Sequence, residues 1–215
     1  MDTLIDLFLH LDTHLAAFIA QYGVWVYGVL FAVIFAETGL VVTPFLPGDS
    51  LLFAAGALAA TGALDIGLVG ALIAVAAISG NAVNYAIGRL IGPRVFAATD
   101  EGSLMHKLLN RKHLDKAHAF FEKHGGMAVV MSRFVPIVRT FVPFVAGAAS
   151  MASSTFLLYN LAGGVLWTAV CVGAGYAFGN VPVIKNNFSL VAIGIVGVSV
   201  LPIVFEFIRT RRTTN

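Results

Sequence analysis

Residues 37–50 read Glu37-Thr-Gly-Leu-Val-Val-Thr-Pro44-Phe-Leu-Pro47-Gly-Asp49-Ser50 and lie between two apolar runs, Val24–Ala36 and Leu51–Leu64. Each run falls short of the roughly 20 residues that a spanning helix needs. The carboxylates of Glu37 and Asp49 and the rings of Pro44 and Pro47 interrupt them. Charge and broken helix are tolerated at membrane depth only inside protein or beside a water-filled cavity. The stretch therefore predicts a re-entrant hairpin over residues 24–61, two half-helices meeting at a polar tip.

Working outward, the second half of the chain carries a counterpart at 126–151. There Met131-Ser-Arg133-Phe-Val-Pro136-Ile-Val-Arg139-Thr-Phe-Val-Pro143-Phe-Val-Ala-Gly147 has arginines in place of the carboxylates and breaks at Pro136 and Pro143. One hairpin is acidic and the other basic. If the two face each other, their charges sum to zero where unpaired charge is expensive.

Composition sets the medium. Of 215 residues, 59% are hydrophobic and 11% charged, against about 25% charged in a soluble domain; mean hydropathy is +0.90. This predicts one integral membrane domain and no nucleic-acid partner. No Lys or Arg precedes Arg89, seven of the thirteen lie within 89–123, and Arg209, Arg211 and Arg212 sit in the tail. The positive-inside rule then places the central connection and the C-terminus in the cytoplasm. The N-terminus lacks the basic n-region of a signal peptide. Cys171 stands alone in an apolar run, so no internal disulfide is expected.

Residues 1–22 alternate at helical spacing, with Leu4, Leu7, Phe8, Leu11, Leu15 and Phe18 on one face, which predicts a helix lying at the membrane surface. Asp6, His10 and His14 share its polar face; a solvated stripe is the commoner meaning of such spacing, and no metal is expected. Residues 66–88 carry no formal charge and are long enough to span. Asn81 and Tyr85, four apart near its end, either line a polar cavity or bond a neighbouring helix. Residues 89–125 form the cytoplasmic connection, in which Lys107, Lys112, Lys116 and Lys123 alternate with Leu108, Leu114, Ala117 and Phe121. That pattern predicts a basic amphipathic helix, stopped at Gly125-Gly126. Residues 156–178 and 190–208 complete the spans, with residues 180–187 as the turn between them.

The halves repeat. Each has a hairpin with an Ala-Gly pair after its prolines (Ala55-Gly56, Ala146-Gly147) and a span ending Tyr-x-x-Gly (Tyr85/Gly88, Tyr176/Gly179). A hairpin crosses the membrane zero times and a span once, so the second unit starts from the opposite side. The expected fold is thus all-α, two opposed re-entrant hairpins in inverted repeats, plus spanning and interfacial helices. Broken helices from inverted repeats hold the substrate in many secondary transporters.

Glu37-Thr-Gly39, Phe45-Leu-Pro-Gly-Asp-Ser50, Asn84-Tyr-x-x-Gly-Arg89 and Arg133-Phe-x-Pro-x-x-Arg139-x-x-x-Pro143-x-x-Ala-Gly147 together resemble the DedA (VTT, SNARE-associated) membrane proteins over about residues 1–212. The resemblance implies a multi-pass protein of the bacterial inner membrane that returns undecaprenyl phosphate to the cytoplasmic leaflet, dependent on proton-motive force. It also implies that Glu37, Asp49, Arg133 and Arg139 are essential. The chain departs from the family pattern at Asn81, where the resemblance leads one to expect Asp; a proton relay through that position would be altered.

Chemistry fits these roles. Arginine keeps its charge and offers a planar fork to phosphate, so Arg133 and Arg139 are candidate phosphate ligands, or else structural partners of Glu37 and Asp49. Glu37 and Asp49 are candidate proton carriers, because burial favours the acid and a nearby arginine the carboxylate; Asp49-Ser50 equally reads as a helix N-cap. Gly173-Ala-Gly175-Tyr-Ala-Phe-Gly179 has the wrong spacing for a dinucleotide fingerprint, and its glycines suit close helix packing. The functions left are a lipid-phosphate flippase partnered by polyprenyl phosphate and protons, a proton-coupled small-ion carrier, and a general phospholipid scramblase. No cofactor or enzymatic activity is expected, since neither a Lys-x6-Arg-Pro signature nor an intramembrane Ser–His pair is present. A homo-oligomer is compatible with all of this.

Overall fold

A computed structural model describes residues 11–40, 48–97, 111–135 and 138–181, with side chains placed for 23–40, 48–92, 115–135 and 138–181. Among these residues the regular structure is helical, without a strand: α1 (Leu11–Gly39), α2 (Gly48–Ala60), α3 (Ile66–Ala97), α4 (Arg111–His124), α5 (Met127–Met131), a 3₁₀ turn (Ser132–Phe134), α6 (Val138–Ala148) and α7 (Ser153–Gly179). Pro44, Pro47 and Pro136, the metal-spaced Asp6 and His10, and the expected span 190–208 lie outside the described residues.

Two helices run past the expected segment bounds. The surface helix over 1–22 and the hairpin arm starting at 24 were separate expectations, yet α1 runs unbroken from Leu11 to Gly39. One glycine inside an apolar helix costs only about 1 kcal/mol relative to alanine, so Gly23 does not end it. The span expected over 66–88 continues to Ala97. Arg89 does not stop the helix because packing carries it on: a Cβ on Gly92 would lie 2.3 Å from the Ala148 Cβ, so α3 and α6 still touch there.

The described residues form two compact units: 11–30, 48–71 and 169–181 in the first, and 31–40, 72–97, 111–135 and 138–168 in the second. In the first unit, α2 lies against the C-terminal part of α7 at backbone distance. A Cβ on Gly56 would sit 2.1 Å from the Val172 carbonyl oxygen, and one on Gly175 2.0 Å from that of Phe53. The turn into α3 is capped at Asp65, whose Oδ1 accepts the Leu68 N–H at 2.7 Å, the N-cap geometry that satisfies an otherwise orphaned donor.

In the second unit, α6 is buried along most of its length and packs on α3. A Cβ on Gly147 would lie 2.1 Å from the Tyr85 carbonyl oxygen, and one on Gly88 2.1 Å from that of Phe144. The repeated motifs therefore pair crosswise: each Ala-Gly pair meets the Tyr-x-x-Gly segment of the other half. Phe141, Val142, Phe144 and Val145 of α6 form the core with Val129 and Phe156. Helix α4 lays its apolar face on this core through buried Ala117 and partly buried Phe120 and Phe121. It stops as expected at Gly125, which takes φ +56 and returns its N–H to the Phe121 carbonyl at 2.7 Å.

Between α5 and α6 the described residues are the 3₁₀ turn and an extended Val135 (φ −113, ψ 107), the conformation favoured for a residue before proline. Helix α6 ends in a Schellman turn: Met151 N–H reaches the Ala146 carbonyl at 3.0 Å, with Ser150 at φ +58 in the left-handed position.

Helices Ile66–Gly92 and Ser153–Gly179 are long and apolar enough to cross a membrane. Large apolar side chains point outward, Trp25 at 75%, Leu90 at 76% and Leu158 at 66% exposure. A soluble monomer rarely shows contiguous apolar surface; lipid-facing helices require it.

Candidate functional site

The sequence places a carboxylate after the apolar run of α1 and an arginine on each side of the break near Pro136. The second compact unit brings these three charges together. Glu37 is 3% exposed at the end of α1, and its Oε1 accepts from Arg139 Nη2 at 2.5 Å. Arg133 is equally buried, at 3% exposure, but its hydrogen-bond partners among the described residues are neutral: Nη2 donates to Asn160 Oδ1 at 2.7 Å and to the Ala77 carbonyl at 3.4 Å. Its Nε has no hydrogen-bond acceptor among the described residues.

Trp167 binds the cluster into one site. The Arg133 and Arg139 guanidinium carbons lie 5.8 Å and 5.9 Å from the centroid of its ring, within the range at which an aromatic quadrupole attracts a cation. The spacing of Arg133 and Arg139 alone did not establish that they converge; the break between α5 and α6 makes them do so. Two guanidinium groups against one carboxylate leave a formal excess of one positive charge among the described groups lining the cleft. Asp49 belongs to the first unit, exposed in the first turn of α2, where a helix N-terminus favours a carboxylate.

The scaffold holding these side chains is polar and buried. Asn84, fully buried on α3, donates through Nδ2 to the Thr38 carbonyl at 3.1 Å and the Thr140 carbonyl at 2.8 Å. It thus ties the end of α1, whose last carbonyls have no helical partner, to the turn of α6 that carries Arg139. Gly80 allows α3 to approach α1, since a Cβ there would stand 2.9 Å from the Phe35 carbonyl oxygen. Asn160 Nδ2 donates to the Ile78 carbonyl at 2.9 Å, which fixes the amide that holds Arg133. Pro143, the described one of the four hairpin prolines, lies inside α6 and is buried; it removes one helical hydrogen bond next to the site.

Of the two α3 residues expected to share a polar face, Asn81 lines the cleft. The Tyr85 hydroxyl instead donates to the Met151 carbonyl at 2.5 Å, accepts from Arg89 at 3.2 Å, and its ring stacks on Phe156 with centroids 4.1 Å apart. It clamps the turn between α6 and α7 rather than lining the cleft. The residues the sequence did not single out are Asn160 and the cleft role of Trp167. An amide in an otherwise apolar span was the available signal for Asn160.

The cleft is lined by Glu37, Thr38, Asn81, Arg133, Arg139, Thr140 and Trp167, and offers a water-sized sphere about 10 Å³ of free space. That is room for about one water, so a phosphate enters only if these side chains part.

Fold and site together define an all-helical membrane protein built around a cluster of buried charges, net positive among the described groups that line it. The VTT domain family matches residues 46–177. The chain is 52% identical to Protein DedA of Escherichia coli K12 over 211 residues, 97% of this chain and 94% of that protein. It is 41% identical to an uncharacterized membrane protein of Mycobacterium tuberculosis H37Rv, covering 84% of this chain and 78% of the relative. It is 38% identical to Inner membrane protein YghB of E. coli K12, covering 75% and 72%. The chain belongs to the DedA family of VTT-domain membrane proteins. No solved structure matches it.

Proposed function

We propose that this chain moves a lipid phosphate between membrane leaflets, with undecaprenyl phosphate returned to the cytoplasmic leaflet and the movement coupled to proton-motive force. The carrying observation is Arg133: a guanidinium buried to 3% exposure, held by neutral groups and with Nε lacking an acceptor among the described residues. An isolated buried charge is costly, and a bound phosphate offsets that cost while using the planar fork. Arg139 is the second ligand. When phosphate draws it away from Glu37, the carboxylate loses the cation that favours its charged form and takes up a proton. Release reverses both events, which couples phosphate passage to proton passage. Asp49 organises the first hairpin at the start of α2.

The architecture that serves this function is a pair of opposed re-entrant hairpins in inverted repeats. Two features support it: α2 and α6 are too short to span, and each Ala-Gly pair packs at backbone distance on the helix that carries the other half's Tyr-x-x-Gly segment, Gly147 at Tyr85 and Gly56 one turn earlier in the motif, at Val172.

Binding tests the proposal. Purified protein titrated with farnesyl phosphate and with farnesol should bind the first and not the second. Equal affinity for the two would remove the phosphate from the account. The second function, a proton-coupled carrier of a small ion, is favoured by one observation, the cleft of about one water. It predicts ion flux in sealed vesicles without lipid transfer.

A further inference from the structure

The structure assigns to Asn160 the selectivity of this site: its neutral amide anchors Arg133 without cancelling its charge, so that the site demands an anion. This inference deepens the phosphate reading and rests on it. The two arginines around Trp167 are held differently. Arg139 meets a carboxylate, Glu37 Oε1, at 2.5 Å. Arg133 meets an amide oxygen, Asn160 Oδ1, at 2.7 Å. Both residues of the second pair are deeply buried, Asn160 at 0% and Arg133 at 3% exposure.

An aspartate is the near-isostere of asparagine. At position 160 it would give Arg133 the same acceptor with a full negative charge, and the cluster would become two cations against two anions. The chain instead carries the amide, whose Nδ2 also bonds the Ile78 carbonyl at 2.9 Å and so fixes which atom faces the arginine. Orientation is retained and charge compensation withheld. Trp167 attracts both cations from its ring face but brings no net charge. Arg133 Nε is a buried donor without an acceptor among the described residues, and such a donor costs free energy until a ligand oxygen meets it. The ligand that completes this arrangement is a phosphate monoester, supplied by a lipid headgroup or as free phosphate. A neutral lipid does not complete it.

The test compares N160D and N160A in the purified full-length protein, with farnesyl phosphate, inorganic phosphate and farnesol as probes. If charge is what Asn160 withholds, N160D loses phosphate affinity by about 30-fold or more, as when a buried charge finds an internal partner. N160A loses only hydrogen bonds that orient Arg133 and falls by less than about tenfold. N160D also regains affinity as the pH drops, because a protonated carboxyl presents one acceptor and one donor as the amide does. An anchor with no part in selectivity gives the reverse order, since aspartate keeps an acceptor for Arg133 and alanine does not. N160D binding as tightly as wild type at neutral pH, or N160A binding 30-fold worse while folded, overturns the inference. Where N160D fails to fold, the N160A arm decides alone. Wild-type protein that binds neither phosphate probe defeats the phosphate reading itself, an outcome separable from the order of the variants. Tighter binding of farnesyl phosphate than of inorganic phosphate assigns the site to a lipid headgroup; equal binding assigns it to the free ion, with the role of Asn160 unchanged.

Discussion

At the scale of single residues, the arginines are unequal. Arg139 is engaged by Glu37 at 2.5 Å, while Arg133 keeps its charge between Asn160, the Ala77 carbonyl and Trp167. Lysine preserves charge but not the fork. Arg133→Lys should therefore abolish most farnesyl phosphate binding, by about 30-fold or more, in protein that remains folded and inserted; titration of the purified variant checks this. Arg139→Lys should lower binding too, and it should loosen the hold on Glu37. Native-level binding by both variants would make the arginines structural counter-ions. Glu37→Gln keeps size and a hydrogen-bond acceptor but cannot cycle a proton. It should still bind farnesyl phosphate yet lose the stimulation of transfer by an imposed pH gradient.

At the scale of helices, backbone contact decides stability. Gly147 and Gly88 each face a carbonyl oxygen that an added Cβ would approach to 2.1 Å. Backbone cannot yield as a side chain does, so Gly147→Ala should destabilise by about 1–3 kcal/mol, read as a lower midpoint of thermal unfolding in detergent. Gly56→Ala should do the same in the first unit, where the Val172 carbonyl occupies the equivalent place. Ser150 holds φ +58 in the turn after α6. A side chain in that conformation costs roughly 1 kcal/mol, so Ser150→Gly should raise the same midpoint. A fall in midpoint for Ser150→Gly would mean that the serine makes a compensating contact.

At the scale of the whole molecule, the all-helical fold and three of the charges in play were legible in the sequence. Apolar runs cut short by Glu37 or flanking Arg133 and Arg139 have few physical solutions in a bilayer. The Ala-Gly and Tyr-x-x-Gly repeats were legible as motifs, but not the crosswise way in which Gly147 meets Tyr85 and Gly56 meets Val172, because tertiary partners leave no mark on local spacing. Trp167 escaped notice for the same reason, since it fits an apolar span until Arg133 is placed beside it; Asn160 showed as an amide in that span, but its partner did not. The interruption of the first apolar run at Glu37 was visible, whereas the continuity of α1 through Gly23 was not, since one glycine costs too little to break a helix. If the hairpins are re-entrant, single cysteines on a Cys171→Ala background should label with an impermeant thiol reagent from the cytoplasm at position 119 in α4 and from the periplasm at position 62. Labelling of both positions from one side would contradict the inverted arrangement. Whether a buried arginine centre carries a lipid phosphate across the membrane is measured directly by leaflet transfer of labelled polyprenyl phosphate in proteoliposomes under an imposed pH gradient. Wild-type protein should accelerate transfer, and Arg133→Lys, inserted to the same level, should not exceed protein-free vesicles. Equal transfer by Arg133→Lys and wild type would contradict the account.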